Sequence, residues 1–315
     1  DSILSESIQN LVDTESAPIT YITLPEINLE NTVVTPDEWV KCLEDYWNEY
    51  DGFSFEEIDA EWRKYKTQST KEVNYLVKEF EMKKSASAYA RTTVSKTGVL
   101  NTSKLFQYKY NDDIFKKIAV TPDGKNHGLI FNLDWSGSMS NVLFSTMKQL
   151  LNLVQFCKKT GIPFEVYAFT NEWDRSGSPR VDNPIENEII IEGFNMINFA
   201  SSQLKTKELE KVMKYMFRLS FAMTYRSCEF NIPYKLYLSG TPLNEAIISM
   251  RQILPKFIKQ NNVEKSHIIN LTDGESSSIM RNKKWGRYDY DKLVSGHIAD
   301  CQLRDRKVGR IYPKF

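Results

Sequence analysis

Two apolar runs, each closed by an Asp-bearing turn, constrain this chain more than any other feature. Leu129-Ile130-Phe131-Asn132-Leu133 runs into Asp134-Trp135-Ser136-Gly137-Ser138, and His267-Ile268-Ile269-Asn270-Leu271 runs into Thr272-Asp273-Gly274. Between them, Ser239-Gly240-Thr241-Pro242-Leu243 opens a helical pattern. Short apolar runs separated by helix-length segments read as buried strands of a parallel sheet. Their turns then meet at the carboxyl edge of the sheet, where open α/β folds bind ligands.

The spacing carries a definite chemistry. A hard cation such as Mg²⁺ takes a near-octahedral shell of oxygens at roughly 2.0–2.1 Å and keeps several waters, so it needs few charged ligands and several small neutral ones. Asp134 and Asp273 supply charge, and Ser136, Ser138 and Thr241 supply hydroxyls. Gly137 is expected to let the backbone fold tightly enough for the alternate side chains to converge. Taken alone, Asp-x-Ser-x-Ser is also ordinary turn chemistry; the Thr- and Asp-bearing turns that follow set this chain apart. Two carboxylates facing a divalent cation leave a neutral site open to one more carboxylate.

These residues in this order resemble the von Willebrand factor A (VWA) family, whose metal-ion-dependent adhesion site (MIDAS) runs D-x-S-x-S, then T, then D. The resemblance covers roughly residues 125 to 300. It implies an α/β fold, a Rossmann-like doubly wound, mostly parallel sheet flanked by helices. It also implies Mg²⁺ or Mn²⁺ held, directly or through water, by Asp134, Ser136, Ser138, Thr241 and Asp273. An acidic residue from a partner would complete the shell.

Two shorter stretches narrow the resemblance. Thr97-Gly98-Val99-Leu100-Asn101-Thr102-Ser103-Lys104-Leu105 ahead of the first run, and Phe169-Thr170-Asn171-Glu172-Trp173 further on, are similar to the cobaltochelatase subunit CobT of cobalamin biosynthesis and to VWA proteins that work with MoxR-type AAA ATPases, in bacteria and their phages. That implies a non-catalytic subunit of an ATP-dependent complex. Its partners would be a CobS- or MoxR-like AAA ring and a client that gives a carboxylate to the metal. One departure stands out: the stretch ahead of the metal-site region is basic, whereas the chelatase pattern has a long acidic linker. This bears on metal insertion into a corrin ring more than on partnership with an AAA ring. The rival reading is a metal-dependent adhesion or structural protein-binding module with no ATPase partner.

Composition sets limits on both readings. The chain has 315 residues, 41% hydrophobic, so it can bury a sizeable core. Its 41 basic and 41 acidic residues balance, which gives no global pull toward nucleic acid or a membrane surface. Cys42, Cys157, Cys228 and Cys301 are scattered and form no C-x-x-C pair, favouring a reducing cytoplasm, that of the host if the chain is phage-encoded. No apolar run reaches the roughly 18 residues that span a bilayer. There is no G-x-x-x-x-G-K-[ST], no H-E-x-x-H and no G-x-S-x-G, so a P-loop, a zinc peptidase and a hydrolase elbow all lack their signatures. His127, His267 and His297 stand singly. The oligomeric state is left open.

Three regions are expected. Residues 1–34 read as extended and weakly ordered. Residues 35–110 read as a helical region with a basic linker, opened by the capping box Thr35-Pro36-Asp37-Glu38, broken at Asp51-Gly52 and continued by a second helix to about Tyr89. Residues 111–315 read as the VWA domain; residues 280–309 are charged and show no strong strand, so its last elements read either as degenerate or, the favoured reading, as missing from a fragment. Within this domain a helix follows Met139 and stops at Gly161, Phe164–Phe169 and Ile189–Ile191 read as strands, and residues 171–235 read as an insertion with a helix at Lys205–Leu219. From Lys83 to Tyr110 there are six basic residues and no acidic one. The stretch reads either as a docking surface beside the metal face or as a solvated linker.

Overall fold

The computed structural model describes residues 20–50, 52–91, 93–107, 109–110, 115–120, 126–173, 181, 183, 185–191, 193–225, 229–274, 276–284, 293–297, 301–305 and 309–312. In chain order its elements are β1 (Thr20–Ile22), α1 (Leu29–Thr32), β2 (Val33–Val34), α2 (Pro36–Glu49), α3 (Glu56–Arg91), β3 (Thr93–Leu100), β4 (Phe115–Val120), β5 (His127–Asp134), α4 (Leu143–Thr160), β6 (Phe164–Thr170), β7 (Asn195–Ser201), α5 (Thr206–Thr224), α6 (Leu243–Asn261), β8 (Lys265–Leu271), β9 (Met280–Lys284), β10 (Leu293–His297), β11 (Cys301–Arg304) and β12 (Ile311–Tyr312). Short 3₁₀ turns interrupt the chain, among them Ser138–Asn141 just after β5.

The fold is α/β. A five-stranded sheet runs in the order β2-β7-β6-β5-β8. β6 and β8 both pair parallel with β5, and β2 pairs parallel with β7, while β7 is antiparallel to β6. β5 is central, and its side chains alternate between the two faces as the period of a strand requires. Phe131 and Leu133 enter a core with α2, α3, α4 and α5, whereas Ile130 enters a core with α6 on the opposite face. A strand covered on both faces must be apolar throughout, which explains why the run was conspicuous.

Local signals place the helices. Thr35 and Glu38 form a reciprocal capping box at α2, with Pro36 in the first turn. α4 ends at Gly161, whose φ of 71° is the left-handed conformation glycine adopts without strain. α3 is locked to α5 by an ion pair: Arg218 donates from Nε and Nη2 to Asp59 Oδ1 at 3.1 and 2.8 Å, and Lys214 donates to Asp59 Oδ2 at 2.7 Å. The Arg218 guanidinium also lies 4.0 Å from the centre of the Phe55 ring.

Several expectations need correction. The helical region does not have a core of its own, because Trp39, Leu43, Ile58 and Trp62 are buried in the same cluster as Phe131, Leu133 and Val154. Within residues 1–34, Thr20–Ile22 pairs with Cys301–Leu303 and Val33–Val34 adds an edge strand to the central sheet; residues 1–19 lie outside the described residues. Ile189 makes only an isolated bridge, to Arg281. The strand of that region is β7, so the supposed insertion contributes a sheet member and α5. Residues 280–312 hold four short strands where none was expected. β9 and β10 form an antiparallel pair, and β11 joins β1 and β12. Cys42, Cys157 and Cys301 are free thiols, and Cys228 lies outside the described residues. Among the described residues no helix is long and apolar enough to cross a membrane.

Candidate metal centre

β5 and β8 lie side by side in register, Leu133 opposite Leu271, so their turns leave the sheet together. The two chains are tied at that point by side chains. Thr272 Oγ1 donates to Asp134 Oδ2 at 2.6 Å, and Ser138 Oγ donates to Asp273 Oδ1 at 2.9 Å. Ser136 Oγ and Ser138 Oγ are 3.0 Å apart.

The loop carrying Thr241 is brought in by main-chain bonds. Gly137 N–H donates to Ser239 O at 2.9 Å and Ser239 N–H to Trp135 O at 3.1 Å, a bridge that continues the parallel pattern past the end of β5. Ser277 N–H then donates to Thr241 O at 2.9 Å. Each of the three loops is therefore bonded to the other two. Trp135 anchors the first of them: it is fully buried, its indole N–H donates to Leu236 O at 2.8 Å, and its ring meets Phe199 edge-on.

Of the five expected residues, Ser136, Ser138 and Asp273 form one hydrogen-bonded string. Asp134 joins them through Thr272, and Thr241 through its backbone. Thr272 was not singled out from sequence, although its place opposite Asp134 follows once the two apolar runs are aligned in register. Gly137 departs from expectation. Its φ of −62° and ψ of −30° are open to any residue, and a Cβ there would meet nothing closer than Ser239 O at 3.9 Å. The turn needs its N–H more than its lack of a side chain.

The electrostatics of the site centre on Asp134, which is wholly buried. Burial pushes its carboxyl pKa up, the Asp273 charge adds to the rise, and the Thr272 and Ser136 hydroxyls pull the other way. Its Oδ1 is buried with no partner that meets hydrogen-bond geometry. An unpartnered carboxylate oxygen inside a protein is costly, and a cation relieves that cost. Two carboxylates with the hydroxyls of Ser136, Ser138 and Thr241 are the donor set of a hard divalent ion. Among the described residues no cluster of three or more His, Cys, Asp or Glu side chains forms a softer or more acidic site.

Lys83 and Lys84, which open the basic stretch, are not beside this centre. Lys83 and Lys84 lie near Asn126 and His127, at the start of β5, and Asp134 is at its other end, seven strand residues or roughly 23 Å away. His127 and His267 stand at that same far end. Comparison with protein-family models finds no match to this chain, and comparisons with curated proteins and with solved structures find none either.

Proposed function

We propose that this chain is a VWA-type, Mg²⁺- or Mn²⁺-binding adaptor that works with a CobS- or MoxR-like AAA ATPase ring, in the manner of the cobaltochelatase subunit CobT. The observation that carries the reading is the buried, unpartnered Oδ1 of Asp134 within a cradle of hydroxyls and a second carboxylate. An ion held there by Asp134, Ser136, Ser138, Thr241 and Asp273 would be charge-neutral with its protein ligands. It would have a coordination position free for a carboxylate from the client or the ring. Capture of that carboxylate would couple motion of the ring to the client.

Placement favours binding over catalysis. No imidazole serves Ser136 or Ser138, since His127 and His267 are a strand length away, and the carboxylate that Ser138 does reach, Asp273, is one of the two proposed to hold the ion. The mixed α/β sheet with helices on both faces is compatible with the VWA architecture, and the five residues follow the MIDAS order.

The test measures ATP turnover by a cognate AAA ring with and without this chain. The ring itself needs Mg²⁺, so the metal site is disabled by substitution, with Asp134→Ala and Asp273→Ala. The expected result is that the native chain changes turnover severalfold while both variants, folded by circular dichroism, leave it at the level of the ring alone. Equal effects of native and variant chains would remove the metal from the mechanism. No effect of the native chain on any cognate ring would leave the adhesion-module reading.

A further inference from the structure

The amino end of the sheet, opposite the metal centre, holds an open cavity of about 820 Å³. Three lysines from separate parts of the chain face it: Lys83 and Lys84 from the last third of α3, and Lys265 from the first position of β8. Among the described residues that line it there is no carboxylate. Lys84 has Glu81 at 3.9 Å on its own helix, an exposed pair of little strength. Lys83 and Lys265 have no ion-pair partner among the described residues.

The remaining lining is of two kinds. Phe80, Leu129, Ile162 and Pro163 make an apolar wall, while Asn126 and Thr160 add neutral polar groups. His127 and His267, diagonal neighbours on β5 and β8, stack with ring centres 5.9 Å apart and planes 3° from parallel. The carboxyl end of α4 also reaches the cavity at Thr160 and Gly161. Its dipole is worth roughly half a negative charge at that end, well short of three lysines.

From this arrangement we propose that the cavity binds a nucleoside phosphate. The volume lies within the roughly 300–1,000 Å³ range of small-molecule sites. Lys83 and Lys265 supply unpaired positive charge for a phosphate chain, and Lys84, only weakly held by Glu81, adds to it. Phosphate alone would leave the apolar wall wet. A flat heteroaromatic base covers that wall and finds stacking partners in the Phe80 ring and the imidazole faces, and such stacking is favourable and tolerant of base identity. This site is separate from the Asp134 centre and uses no Gly-rich phosphate loop. A basic cavity fed by α3, β5 and β8 together is invisible to motif searches, because its residues are distant in sequence.

The experiment titrates the full chain with a ribose-labelled fluorescent ADP and reads anisotropy. EDTA is present, so that no metal at Asp134 can recruit the phosphates, and Asp134→Ala serves as a second guard. Saturable binding is expected in the native chain and in Asp134→Ala alike, weakening as salt rises. Lys83→Gln/Lys84→Gln/Lys265→Gln should raise Kd by about tenfold or more, and the triple Arg variant should hold it within about threefold. Unlabelled ADP should compete better than either adenosine or pyrophosphate. No saturable binding up to about 1 mM would overturn the proposal. So would an unchanged Kd in the triple Gln variant with a native melting curve, and pyrophosphate competing as well as ADP would overturn the nucleoside part. None of these results depends on whether the Asp134 centre binds metal.

Discussion

Asn132 and Asn270 face each other across β5 and β8, the Asn132 amide donating to Asn270 Oδ1 at 2.9 Å. They stand two positions before the Asp134–Thr272 pair. Register matters here because a slip of one residue would turn every side chain of a strand to the opposite face. The amide pair adds a specific polar contact to the register of β8, which is an edge strand with no buried residue and not the buried strand its apolar run suggested.

Asn270→Val alone should therefore cost about 1–2 kcal/mol, because the buried Asn132 amide loses its partner, whereas Asn132→Val should cost less, since the exposed Asn270 turns to water, and the double variant should recover much of the Asn270→Val loss. Urea unfolding of all four forms closes the cycle. Purely additive costs would mean that the two amides do not interact.

Ion binding should stabilise the fold. At an ion concentration one hundred times Kd the gain is about 2.7 kcal/mol, read as a rise in melting temperature with Mg²⁺ relative to EDTA. Asp134→Asn should raise the melting temperature in EDTA, by removing a buried charge with a bare oxygen, and should erase the response to Mg²⁺. A variant that still responds to the ion would place the metal elsewhere.

The Asp59 clamp predicts a pH dependence. Burial acts to raise the Asp59 pKa, but the hydrogen bonds and charges of Lys214 and Arg218 outweigh it and hold the carboxyl below its ordinary value of 3.8. A lowered folded pKa contributes stability that is present above the unfolded value and lost as pH falls through the folded one. Asp59→Ala should cost about 3 kcal/mol at neutral pH, since Arg218 is left buried without its partner. That difference from the native chain should shrink as pH drops below about 4. Chemical unfolding at a series of acid pH values checks both parts; a constant difference would remove Asp59 as the titrating group.

Gly128 sits under the end of α6. A Cβ there would lie 2.6 Å from Phe257 Cε1 and 2.9 Å from Val263 Cγ2, closer than packed atoms tolerate. Gly128→Ala should destabilise by about 1–3 kcal/mol. Adding Phe257→Leu, which removes the clashing ring, should return part of the loss, and denaturant midpoints measure it.

What was legible in the sequence follows from how each residue is satisfied. β5 and β6 are buried along nearly their whole length, so their apolar runs announce them, and the α2 cap is complete within four residues. β7 escaped because it carries Asn195 and Asn198, polar residues whose partners are remote: Asn195 donates to Thr32 O and Asn198 to Glu165 Oε2. Without those partners in view, an Asn-bearing run reads as a loop. The helical region looked independent because its amphipathic pattern names no partner, and only the packing shows Trp39 against Phe199. At the candidate centre, the ligand types were readable from spacing. The role of Thr272 and the main-chain ties of Ser239 and Ser277 depend on register and loop path, which spacing does not encode.

The length of β5 has an electrostatic consequence. Its ends lie roughly 23 Å apart, two to three Debye lengths at physiological ionic strength. Through water, then, charge gathered among the lysines at one end is almost unfelt by the carboxylates at the other. The chain can present a positive face and a negative face at once, each binding on its own terms. The paired backbones of β5 and β8 are the continuous mechanical link between them.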